Sequence, residues 1–119
     1  MKENEKMVIG ILISGWGKSA VDLIHAMNDG AFFAPIKAVV TNGAEEGAIE
    51  LAKKNGVPTH TISYKNAKRN EAETEILQFL KVNGVTHVFL CGFMKVLSPY
   101  FLDAYRDKVI NIHPSLLPS

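Results

Sequence analysis

Cysteine is almost missing from this sequence: Cys91 stands alone among 119 residues. A lone thiol excludes an internal disulfide and a cysteine-built zinc cluster, and it suits a reducing cytoplasm. Its setting at the end of the apolar run THVFLC reads as a small buried hydrophobe. Excess charge of one sign is missing too, since 13 Lys and Arg face 12 Asp and Glu for a net charge of +1. No broad field draws the chain to nucleic acid or to a membrane surface, so any anion site must be local. No apolar run approaches the ~18 residues that a membrane-spanning helix needs. Residues 1–6 are polar, carry both charge signs, and lack the basic start and apolar core of a signal peptide. Repeats, low-complexity tracts and linkers are absent as well.

What remains is an ordinary globular balance, 47% hydrophobic and 21% charged. The length argues for one domain, 1–119, large enough to bury roughly two-thirds of its unfolded surface.

Residues 7–13 (MVIGILI) form a continuous, β-branched apolar run, which predicts a parallel strand covered on both faces. Ser14-Gly15-Trp16-Gly17-Lys18-Ser19 follows at once, and then Ala20, Val21, Leu23, Ile24 and Met27 recur at helical spacing. Strand, glycine turn and helix together present bare backbone N–H groups at a helix N-terminus. Those groups favour an anion, most often phosphate, and Lys18 adds a point charge. A tight connection with no ligand fits a two-glycine turn equally well. The turn is not a dinucleotide fingerprint, because Ala20 stands where the third glycine belongs. It is not a Walker loop either, because Leu12 occupies the place of that pattern's first glycine, five residues before Gly17.

Strands are next expected at 36–41, at 59–62 with His60 in a structural role, and at 86–91. Helices are expected at 44–55, with Ala48, Leu51 and Ala52 inward, and at 71–83, with Ala72, Ile76, Leu77 and Leu80 as the buried stripe. Ser98-Pro99 reads as an N-cap followed by a first-turn proline, opening a helix to about residue 105. Residues 109–112 (VINI) read as a last strand buried in the sheet. Alternation of strands and helices with short connections predicts an α/β fold, a parallel sheet with helices on both faces. Ligands in such sheets lie beyond the carboxyl ends of the strands. Segments 14–19, 92–97 and 111–115 all fall there.

Asn111 and His113 are two residues apart, so an extended segment presents them on one face. Pro114 then turns the chain away. A neutral amide donor beside a titratable ring is what acyl-type transfer requires, one group to hold an oxyanion and one to move a proton. The plainer alternative is a strand end with a structural Asn and a solvated His.

The blocks LISGWGKS, LCGFMKVLSPYF and INIHPSLLPS, with the spacing between them, resemble the folate-dependent formyltransferases, in particular the glycinamide ribonucleotide formyltransferases. The resemblance covers essentially the whole chain. It implies a Rossmann-like, doubly wound, mostly parallel sheet, here truncated after the active-site strand. On that reading 1–119 is the N-terminal, ribonucleotide-binding domain. The C-terminal folate-cleft half, with an aspartate that pairs with the histidine, is absent. The implied activity is transfer of a formyl group from 10-formyltetrahydrofolate, as co-substrate, to the amine of glycinamide ribonucleotide in purine biosynthesis, with the chain incompetent alone. His113 and Asn111 match the catalytic pair. Gly15, Gly17, Lys18 and Ser19 match the loop that takes the ribonucleotide phosphate. Arg69, Met94, Lys95, Val96, Leu97 and Asn111 match folate contacts, and no metal is implied. Trp16 replaces a small or polar residue of the family loop, Ser19 an asparagine and Lys95 an arginine.

The implied partners are a small-molecule ribonucleotide and a folate, not nucleic acid or membrane, in the cytoplasm. A homodimer, or pairing with a missing C-terminal half, is the expected assembly. Competing readings are a non-catalytic truncated relative that binds nucleotide or self-associates, a formyltetrahydrofolate hydrolase-like domain, and a generic nucleotide-binding domain.

Overall fold

The computed structural model of the chain describes residues 6–14, 18–30, 34–42, 47–62, 69–93 and 97–112. Within them strands and helices alternate: β1 (Ile9–Ile13), α1 (Lys18–Asn28), β2 (Ile36–Thr41), α2 (Gly47–Lys54), β3 (Thr59–Thr61), α3 (Arg69–Val82), β4 (His87–Cys91), α4 (Pro99–Ala104) and β5 (Val109–Ile112). The strands make one sheet in the order β3-β2-β1-β4-β5, parallel at every pairing. From β1 the chain steps outward through β2 to β3, then crosses back to β4 and β5. The connections after β1 and β4 therefore leave in opposite directions, which opens a crevice between them at the carboxyl edge.

Alternation along the strands divides the core into two layers. Ile9, Ile11, Ile13, Phe89 and Cys91 pack with Ala20 and Ile24 of α1 and with Ala48 and Ala52 of α2. Leu12, Val40 and Val88 face the other way, onto Ala72, Ile76 and Leu80 of α3, Phe101 of α4, and Tyr105. Covered on both faces, β1 is buried at every position, as its unbroken apolar run predicts. Gly10 has a packing reason. A Cβ there would lie 2.7 Å from Leu80 Cδ2 and 3.0 Å from Val85 Cγ1, so the missing side chain lets α3 rest directly on the central strand.

Beyond strand ends that fall one or two residues short, two details differ from the sequence expectation. α3 begins at Arg69, two residues before the expected start, so the helix absorbs the end of the basic segment. The other is a correction: β5 is not buried in the sheet. It pairs with β4 at the sheet edge, and Ile110 is 41% exposed. A β-branched run marks a strand without saying whether a neighbour covers it.

Candidate functional site

In a parallel sheet every strand ends on the same edge, and helices that return against the strands begin there too. The register sharpens this. Ile13 of β1 lies beside Cys91 of β4, and Cys91 lies beside Ile112 of β5. At ~4.8 Å between neighbouring strands, that row spans about 10 Å. The residues that follow its three members, Ser14, Gly92 and His113, each belong to one of the three segments singled out in the sequence.

Asn111 is the register partner of Leu90, and neighbouring partners share a face, so it sits on the α3/α4 side of the sheet, where it is exposed. Lys18 and Ser19 open α1, and Arg69 opens α3. Their helical backbone is described, but their side chains fall outside the described set. Leu97 is buried in the core under α3 and α4, beside Phe101. Gly15, Gly17, Met94, Lys95, Val96 and His113 lie outside the described residues, as does Trp16. The architecture thus brings the start of α1, the start of α3, Gly92, Leu97 and Asn111 to one rim.

Of the remaining titratable groups, His60 contacts Glu75 and stacks on Phe79 at 5.1 Å between ring centroids, a structural arrangement. Asp103 pairs with Arg106 at 3.1 Å on the surface of α4. Among the described residues no cluster of His, Cys, Asp or Glu is placed to hold a metal ion. No helix among them is long and apolar enough to cross a membrane.

Cys91 stands in the row at the rim but is not a nucleophile. It is 2% exposed, and burial pushes its thiol from 9.0 up to about 12. The thiolate is therefore scarcely populated at neutral pH. The same burial fixes a sign for alkaline stability. Above about pH 9 the unfolded chain releases the thiol proton first, so the unfolded state binds fewer protons and stability falls until the folded thiol ionises near 12. Denaturant titrations of wild type and Cys91→Ala between those pH values should show a shallower decline in the variant. Equal slopes would rule the buried thiol out as a source of the alkaline loss.

Sequence reasoning missed Glu73. It is fully buried in α3, where Oε2 accepts from the Ser98 backbone N–H at 2.9 Å and Oε1 accepts from the Ser98 hydroxyl. The available signal was its spacing: 73, 76, 77 and 80 fall on one helical stripe whose other members are apolar.

Residues 7–119 match the family model described as formyl transferase. The chain belongs to the formyl transferase family. It is 40% identical over 113 residues to the trifunctional purine biosynthetic protein adenosine-3 of Drosophila pseudoobscura pseudoobscura, across 92% of this chain and 8% of that protein. It is 35% identical over 113 residues to the phosphoribosylglycinamide formyltransferase of Escherichia coli (strain K12), across 94% of this chain and 53% of that enzyme. Among solved structures, glycinamide ribonucleotide transformylase 1 from Geobacillus kaustophilus superposes with a TM-score of 0.84 at 32% identity. That match covers 97% of this chain and 62% of that one. This formyl transferase family member thus spans about half the length of the Escherichia coli relative. Its all-parallel, doubly wound sheet is the Rossmann-like fold of the solved transformylase.

Proposed function

We propose that this chain is the ribonucleotide-binding part of a cytoplasmic enzyme that moves a formyl group from 10-formyltetrahydrofolate to the amine of glycinamide ribonucleotide. The observation that carries the reading is the level row Ile13, Cys91 and Ile112. Its members lie inside the three family blocks, in a fold shared with a glycinamide ribonucleotide transformylase. Similarity to the phosphoribosylglycinamide formyltransferase of Escherichia coli supports the substrate assignment.

In this proposal the ribonucleotide phosphate docks on the backbone of Gly15 and Gly17 and the start of α1, with Lys18 and Ser19 as side-chain partners. The folate lies against Met94, Lys95, Val96 and Leu97, with Arg69 approaching from the start of α3. The substrate amine attacks the formyl carbon, a carbon–nitrogen bond forms, and the formyl oxygen becomes an oxyanion. The Asn111 amide N–H donates to that oxygen, and a neutral donor suits it because no proton need be surrendered. His113 carries the amine's proton toward the folate nitrogen as the bond from that nitrogen to the formyl carbon breaks. No metal is required by these steps.

The edge position of β5 and the exposure of Ile110 support pairing of this strand with further polypeptide, either the C-terminal half that full-length relatives carry or a second copy. Formyl transfer should be at background for the chain alone and should rise when a separately prepared C-terminal portion of a full-length relative is added. A background rate with both pieces folded and associated would overturn the reading. In the active mixture, Lys18→Ala should raise KM for the ribonucleotide about 10- to 100-fold with kcat little changed, as loss of one charge-assisted phosphate contact implies. An effect confined to kcat would contradict the phosphate role.

A further inference from the structure

We infer that Glu73 is a positioning residue: its buried carboxylate fixes the Leu97–Ser98 peptide, and through it the root of the segment that meets the folate. The inference rests on the folate role proposed above for residues 94–97.

Glu73 is fully buried on the apolar stripe of α3, among Ala72, Ile76, Leu77 and Leu80. A carboxylate in such a place is strongly unfavourable unless its oxygens are satisfied. Both are satisfied by one residue 25 positions away. Oε2 takes the Ser98 N–H at 2.9 Å, and Oε1 takes the Ser98 hydroxyl.

Capping alone does not require this acid. α4 is six residues long, and Ser98 already serves as its N-cap by accepting from the Phe101 N–H at 3.5 Å. An apolar residue at 73 would complete the stripe without burying charge. What the acid adds is a two-point hold on Ser98. The N–H it grips belongs to the peptide that ends segment 94–97, and the Leu97 side chain is buried in the same cluster. The clasp therefore ties the far end of that segment to α3.

Arg69 stands one helical turn before Glu73 on the same helix, at the rim. One rigid element thus carries both a proposed folate contact and the anchor of the other folate-lining segment. Among the described residues nothing comparable links Glu73 to α1, which packs on the opposite face of the sheet. Folate affinity should therefore depend on Glu73 and ribonucleotide affinity should not.

The test uses the chain mixed with the C-terminal portion of a full-length relative and reads three quantities for wild type, Glu73→Gln and Glu73→Ala. These are amide hydrogen exchange at Ser98 and Phe101 without ligand, the Kd for 5-formyltetrahydrofolate, and the Kd for glycinamide ribonucleotide. Glu73→Ala should speed exchange at Ser98 at least 10-fold and weaken the folate about 10-fold, with the ribonucleotide Kd within twofold of wild type. Glu73→Gln should keep most of the folate affinity, because its amide can still accept from the N–H and donate to the hydroxyl oxygen. If Glu73→Ala does not fold, Ser98→Ala keeps the N–H partner, removes the hydroxyl partner together with the cap on the Phe101 N–H, and should weaken the folate about threefold with the ribonucleotide unaffected. Unchanged folate binding, or equal weakening of both ligands, overturns the positioning role. A wild-type mixture that binds ribonucleotide but no folate overturns the folate reading itself, and the inference with it.

Discussion

Phe101→Ala is expected to destabilise the fold by about 3–5 kcal/mol, the range for removing a buried phenylalanine and leaving a cavity. Phe101 is fully buried in the α3/α4 layer, in one cluster with Leu80, Val85, Val88 and Leu97. Its ring lies 6.2 Å from that of Tyr105, tilted by 34°. Tyr105 in turn donates its hydroxyl to the Val85 carbonyl at 3.1 Å. The surroundings cannot readily collapse into the gap. Phe101 is a principal anchor of a six-residue helix, and β4 behind it is held by pairings on both edges. Domains of this size have total stabilities of about 5–15 kcal/mol, so the loss is a large share of the whole. Urea titration should show the midpoint falling sharply with little change in slope. Tyr100→Ala is the matched control, because the neighbouring ring is 54% exposed and should contribute within about 0.5 kcal/mol. Comparable losses at 100 and 101 would mean that α4 does not pack as described.

How much of this was legible in the sequence follows from what each signal measures. Period and composition report burial averaged along a segment. The apolar run of β1 and the stripe of Ala72, Ile76, Leu77 and Leu80 therefore marked a central strand and a packed helix correctly. The Ser98-Pro99 signal fixed the start of α4, because its causes are local: a hydroxyl within reach of Phe101 N–H and a ring with no N–H to orphan. Neighbourhood across the sheet is not local. VINI has the same letters in a central strand as at an edge, and only the strand order reveals β5 as the latter. Glu73 failed for the same reason. Acids on helices are usually solvated, and the groups that make this one tolerable belong to a residue far along the chain. The candidate site was expected as a place, since alternating topology directs segments 14–19, 92–97 and 111–115 to one rim; of these, Ser14, Gly92, Asn111 and Ile112 are described at the strand ends. The level row of Ile13, Cys91 and Ile112 adds the spacing that topology could not.

In the complemented mixture, His113→Ala should lower kcat for formyl transfer by about 100- to 10,000-fold, the usual contribution of a positioned acid–base group. Asn111→Ala should lower it by about 100- to 1,000-fold, the loss expected when one oxyanion donor is removed. Asn111→Ala should not disturb the fold. Asn111 is exposed on the edge strand, so its removal leaves no cavity and no orphaned core group. Equal thermal midpoints for wild type and Asn111→Ala would establish this before rates are compared. The two residues should also differ in pH dependence. His113→Ala should erase a titrating limb of the kcat profile, whereas Asn111→Ala should lower the profile without moving it, because an amide does not titrate. If both groups serve one transition state, the double variant should lose far less than the product of the single effects, since each acts on a step the other has already made slow. Strict multiplicativity would show that the two groups contribute independently. A loss below tenfold at His113 would remove it from the chemistry and return Asn-x-His to the plainer reading of a strand end with a solvated ring.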